Sequence, residues 1–197
     1  LNFYHTLELK EWPVIPDIAL IKGVPYAPRR SWTVGKTGPA PQVVFEIASK
    51  ETWRIDLKEK PFTYARLGVQ EYFLYDPETP PHLKHMGKKR RLIGWQRNSI
   101  TGAMEELQPD LAGRLWSTQL DSFLVPDGLF LRLYDSNYQR HLTGQEANEQ
   151  SKQLAEQKAR LAEQSKQLAE QKAQLAERRA RILEEKLRSL GMNPDEL

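Results

Sequence analysis

The sequence predicts a mixed fold, α+β or α/β with a mixed sheet, followed by a long polar helix. Three observations carry this prediction: short apolar runs bounded by Pro and Gly, a helical stretch between two of them, and a leucine recurring every seventh residue near the C-terminus. The chain has 197 residues, with 29 Lys and Arg against 26 Asp and Glu, 13 Pro and 11 Gly. That balance excludes collagen-like and low-complexity chains, and the absence of Cys excludes disulfide scaffolds, thiolate zinc sites and cysteine nucleophiles. No run approaches the roughly 20 apolar residues that span a bilayer. The first residues lack the pattern of a secretory leader, so a cytoplasmic protein is expected.

Composition divides the chain. All of its five Trp, seven Tyr and six Phe lie at or before Tyr138, and every Pro except Pro194 lies at or before Pro126. The expected organisation is a globular domain over 1–140, a heptad-repeat helix over 145–190 and a short tail over 191–197. Basic and acidic residues balance from Gln145 onward, so the net charge of +3 belongs to the globular part. An excess that small permits nucleic-acid binding without arguing for it.

Residues 16–21 (PDIALI) and 42–49 (QVVFEIAS) read as buried strands, separated by a Pro- and Gly-punctuated loop over 23–41. Residues 54–67 read as a helix with Leu57, Tyr64 and Leu67 on one face and with Asp56 and Glu59 as its capping box. Pro61, one turn in, removes a backbone hydrogen bond, so this helix is expected to start late or bend, which can tilt the neighbouring Lys60. Residues 70–75 (QEYFLY) form another strand, stopped at Asp76-Pro77, and 82–86, 91–96 and 115–133 suggest an antiparallel meander. In the tail, Leu154, Leu161, Leu168 and Leu175, continued by Ile182, form one seam, while Lys158, Ser165, Lys172 and Arg179 occupy the other core positions of the heptad. The half-polar seam argues against a tight dimeric zipper. It leaves a solvated helix, a homo-oligomer contact or a partner-helix contact over 145–190, ended by Gly191, Asn193 and Pro194.

Asp17 opens the first of these strands and Glu46 lies inside the second among Val43, Val44, Phe45 and Ile47. A carboxylate within an apolar strand is costly unless paired or bound to a metal. Two carboxylates from neighbouring strands can hold one Mg²⁺, or Mn²⁺ in its place. Asp56, Lys60 and Tyr64 are spaced four apart and share a helix face beside that strand. Phosphodiester hydrolysis needs a carboxylate-held metal and a cation that stabilises charge on the phosphate, parts that Asp17, Glu46 and Lys60 can supply. The alternatives are a solvent-facing Glu46 and an ordinary surface pair between Asp56 and Lys60.

The blocks PDIALIKGVP, VVFEIASKET, the D-x-x-x-K-x-x-x-Y of Asp56, Lys60 and Tyr64, LGVQEYFLYDP, and LWSTQLDSFLVPDGLFLRLYD together resemble the Uma-type family of restriction-endonuclease-like proteins, within the PD-(D/E)xK nuclease superfamily. The resemblance runs from about residue 16 to the C-terminus. It implies a Mg²⁺-dependent nuclease core, a central mixed sheet flanked by helices, with DNA as the partner. Asp17 and Glu46 match the two acids, both catalytic and both metal ligands. The usual lysine would fall on Ala48, so the resemblance passes its catalytic role to Lys60, with Asp56 and Tyr64 in support. Ser49 and Thr52 match the family's Ser-x-Ser-Thr segment, where Glu51 replaces the second Ser, and their hydroxyls are expected to cap the next turn. Family members carry several tens of residues before the Pro-Asp motif, so a fragment or a lost N-terminal layer is expected here.

Elsewhere, Lys88, Lys89, Arg90 and Arg91, near His82, His85 and Trp95, could grip a phosphate backbone or form a charged hairpin tip. Gly35-Lys36-Thr37 lacks the earlier glycine of a phosphate loop, because position 30 is Arg30. The four His have no zinc-site spacing. Three readings stay open: a metal-dependent DNA endonuclease, an inactive nuclease-fold module that binds nucleic acid or protein, and a coiled-coil adaptor.

Overall fold

The computed structural model describes residues 1–5, 13–25, 27–85 and 90–189. The chain divides into a unit of Leu1–His141 and a second that opens at Leu142. In chain order the first holds β1 (Asn2–Tyr4), β2 (Ile18–Leu20), β3 (Ser31–Thr33), β4 (Val43–Ile47), α1 (Trp53–Lys58), α2 (Lys60–Leu67), β5 (Glu71–Tyr75), a 3₁₀ turn (His82–His85), β6 (Leu92–Arg97), β7 (Met104–Glu106), β8 (Leu115–Ser117), β9 (Ser122–Asp127) and β10 (Phe130–Tyr134). The second unit holds α3 (Gly144–Ser189).

The main sheet has the order β2-β4-β5-β6-β7, with β5 in the middle and every residue of β5 buried. Strands β4 and β5 run parallel, joined through α1 and α2, while β2 lies antiparallel to β4, and β6 to β5. A parallel pair needs a crossover of this kind, which places the two helices over one face of the sheet. Because side chains alternate across a strand, Val44, Tyr72, Leu74, Ile93 and Trp95 face the core with Leu57, Tyr64 and Leu67. Phe3 and Trp32, from the parallel pair of β1 and β3, complete that cluster. On the other face Val43, Phe73, Tyr75 and Leu92 pack against Leu115 and Leu124 of a separate antiparallel sheet, β10-β9-β8.

Several expectations change. The helix expected over 54–67 is two helices meeting at Glu59, which breaks the chain so that Pro61 falls in the first turn of α2, where a missing amide costs nothing. Asp56 is no cap: α1 begins at Trp53, and Asp56 is buried within it. The turn before α1 is closed instead by Ser49, whose Oγ accepts the Thr52 amide at 3.2 Å. Residues 82–85 form a 3₁₀ turn rather than a strand, because the Leu83 amide donates to Asp76 Oδ2 at 2.9 Å and Lys84 donates to the Pro81 carbonyl. Strands β1, β3 and β7 were not foreseen.

Helix α3 carries a capping box at its start. The Glu146 amide donates to Thr143 Oγ1 at 3.2 Å, and the Thr143 amide donates to Glu146 Oε2 at 2.8 Å. The tail over 191–197, with its stop signals, lies outside the described residues. Among those residues, no helix is long and apolar enough to cross a membrane.

Candidate active site

The sheet register assembles the acidic pair. Ile18 of β2 opposes Phe45 of β4, so the same antiparallel register, continued by one residue, sets Asp17 opposite Glu46. Asp17 is exposed at the strand end, and its Oδ2 accepts the Ile47 amide at 2.7 Å. Glu46 is buried, 3% exposed, on the helix-covered face.

From that face, α2 reaches back to β4. Lys60, the first residue of α2, places Nζ 2.6 Å from Glu46 Oε1 and 2.8 Å from Asp56 Oδ1 of α1. The break at Glu59 thus does not turn this ammonium away from the acid. Tyr64, one turn on, donates its hydroxyl to Glu46 Oε1. Tyr72 of β5 donates to the Asp56 carbonyl at 2.8 Å and stacks on Trp95 with ring centroids 5.0 Å apart. Asp56 is 1% exposed, and its Oδ2 receives no donor among the described residues.

The electrostatics follow from burial and pairing. Burial raises the Glu46 pKa above the ordinary carboxylate value, against the opposing pull of Lys60 and the Tyr64 hydroxyl. Nearby Asp17 adds to the rise. Burial disfavours the Lys60 ammonium, but its bonds to Asp56 and Glu46 and their charges outweigh that, so its pKa is raised and it stays a cation at neutral pH. Burial, then the Glu46 charge, also raises the Tyr64 pKa, which keeps its hydroxyl a donor.

The donor set can be tested against a metal. Among the described residues, no group of three or more His, Cys, Asp or Glu could hold an ion. The two carboxylates of Asp17 and Glu46 form too small a set for Ca²⁺ and lack the nitrogen or sulfur ligands of a structural zinc site. They do suit Mg²⁺, which takes one or two carboxylates, keeps several waters and completes its shell with substrate phosphate.

Asp17, Glu46, Asp56, Lys60 and Tyr64, singled out from sequence, are brought to one place. The basic run is not. Arg90 pairs with Glu106 at 2.8 Å, and Arg91 closes the 76–79 turn by donating to the carbonyls of Pro77 and Glu78 and to Thr79 Oγ1. Lys88 and Lys89 lie outside the described residues, as does the His85 side chain.

The model of the Uma2 family, described as "Putative restriction endonuclease", matches residues 3–121. The chain belongs to this family. No curated protein matches it. Uma2 membership agrees with the restriction-endonuclease-like mixed sheet and suggests a nuclease-like function. The match begins within β1, takes in β2 through β8 and every residue of the acidic site, and stops before α3.

Sequence reasoning missed Tyr72 and Trp95, which support the site from below. The alternation in EYFLY could have signalled Tyr72, because its face is that of Leu74, two residues on.

Proposed function

We propose that this protein is a Mg²⁺-dependent endonuclease that hydrolyses phosphodiester bonds in DNA. The observation that supports it best is the convergence of Glu46 in β4, Asp17 just before β2 and Lys60 at the start of α2 within a Uma2 domain. Asp17 and Glu46 would hold the cation. When bound, Mg²⁺ supplies Lewis-acid polarisation of a phosphoryl oxygen and acidifies a water.

The remaining work falls to the chain's own groups. Lys60, kept charged by two carboxylates, offers its ammonium to the negative charge that builds on the phosphate in the transition state. Asp56 also holds Lys60, so the ammonium would keep a partner with Glu46 given to the cation. Tyr64 fixes the Glu46 carboxylate, and Tyr72 fixes the α1 backbone at Asp56.

The test is nicking of supercoiled plasmid with Mg²⁺ or Mn²⁺, with Glu46→Ala and Lys60→Ala proteins alongside and their folding checked by urea titration. Nicking by the parent that disappears in both folded variants is the expected result. Undiminished nicking in either variant removes that residue from the mechanism, and a parent that binds DNA without cutting it is the inactive module instead.

A further inference from the structure

Helix α3 carries an apolar stripe along one face. Leu154, Leu161, Leu168 and Leu175 are 51–58% exposed and Ile182 is 48% exposed, all in one seam. Each leucine is followed by an alanine, Ala155, Ala162, Ala169 and Ala176, and the basic residues Lys158, Lys172 and Arg179 stand between the two rows. At three and four residues on either side, each of these three cations meets only Leu, Ala or Ile. No carboxylate of its own helix can therefore pair with it. The glutamates, Glu156, Glu163, Glu170 and Glu177, sit on the far side of the heptad. Basic residues set into an apolar stripe extend it with their methylene stems and carry their charge to its rim.

We infer that α3 pairs with α3 of a second copy of this chain, antiparallel, in the register that sets Ser165 opposite Leu168. Charge decides the direction. In a parallel pair each core layer matches a position with itself, so Lys158 would face Lys158, Lys172 would face Lys172 and Arg179 would face Arg179 inside the seam. In the antiparallel pair each layer joins one leucine to one polar residue, Lys158 to Leu175 and Lys172 to Leu161. The like charges then leave their shared layers for neighbouring ones, about 5 Å apart along the axis, and each stem lies on a leucine of the other copy. The stated register leaves no seam residue between Ser151 and Ile182 without a partner. The flanking alanines let the helices approach closely, and two strands, rather than three or four, leave each ammonium a path to water. This inference is independent of the chemistry proposed at the acidic site.

The experiment uses the full chain, which has no Cys, with a nitroxide on Glu149→Cys, on the outer face of α3. Pulsed dipolar spectroscopy should give a label separation of about 50 Å at 1.5 Å of rise per residue. A parallel pair would bring the labels within about 25 Å, given helix axes 8–10 Å apart, and would overturn the inference. Light scattering across a concentration series should show the mass of two chains. A mass of one chain at every concentration also overturns it and leaves a different protein as the occupant of the stripe. Leu161→Glu with Leu168→Glu should return the mass to one chain without altering Trp fluorescence, and a dimer that survives this change is held by another surface.

Discussion

Lys60 is shared between two carboxylates that are almost wholly buried, and its own side chain is 21% exposed. Removing one partner of a buried charge group leaves the others uncompensated, which costs more than the pair contributed. Lys60→Met is therefore expected to lower the unfolding free energy by about 2 kcal/mol at pH 7, less than the 3–5 kcal/mol of a fully buried pair because of that exposure. Tyr64→Phe removes one hydrogen bond to Glu46 and should cost about 1–2 kcal/mol in the same urea titration. Glu71 offers a pH test away from the site. It is 1% exposed, accepts the amides of Thr118 and Gln119 and the Ser117 hydroxyl, and burial raises its pKa above 4.5 despite those bonds. A raised folded pKa means the native state holds the proton more tightly, so its stabilising effect is full below 4.5 and is lost as pH rises through the folded value. Glu71→Gln should accordingly gain on the parent as pH rises from 4 to 7, and an unchanged difference would remove Glu71 as the titrating group. The acidic site was legible because a carboxylate in VVFEI violates burial rules and Asp56 to Lys60 is a helical spacing. Glu71 was not, because its partners lie 46 to 48 residues away and share no local pattern with it.

At the scale of elements, the break between α1 and α2 gives each helix its own task, α1 burying Asp56 and α2 aiming Lys60 and Tyr64 at β4. Gly68 closes α2 at a φ of +85°, where any Cβ is strained. Gly94, in β6, is needed for a different reason. A Cβ there would meet the ring of Phe73, its partner in β5, at 2.7 Å and Leu115 Cδ1 of the second sheet at 2.9 Å. Gly94→Ala is expected to cost about 1–3 kcal/mol by overpacking, read as a lower urea midpoint at unchanged slope. Strands β4 and β5 were readable as apolar β-branched and aromatic runs. Strands β1, β3 and β7 have three residues each and no run to read, since they exist through pairing with distant segments. The 3₁₀ turn hid behind apolar Leu83, whose amide Asp76 captures, and the capping box that opens α3 was overlooked, although Thr143 and Glu146 carry its Thr-x-x-Glu spacing.

For the whole molecule, the two cores follow from alternation along each strand, and the ordered blocks around Asp17, Glu46 and Lys60 carried the family. The half-polar seam of α3 was equally plain in the sequence, but its meaning depends on direction, since the layers that repel in a parallel pair become Leu-to-Lys contacts in an antiparallel one. That feature ties the protein's two proposed associations to salt with opposite signs. In the antiparallel pair the seam cations of the two copies lie in neighbouring layers, so they still repel one another, and added ions screen that repulsion within roughly 10 Å at 0.1 M. The helix pair should therefore tighten as NaCl is raised. Contact with a phosphate backbone weakens over the same range, because the released counterions must be displaced into a more concentrated bath. Sedimentation and DNA binding measured along one salt series should cross, with self-association gaining where nucleic acid is shed.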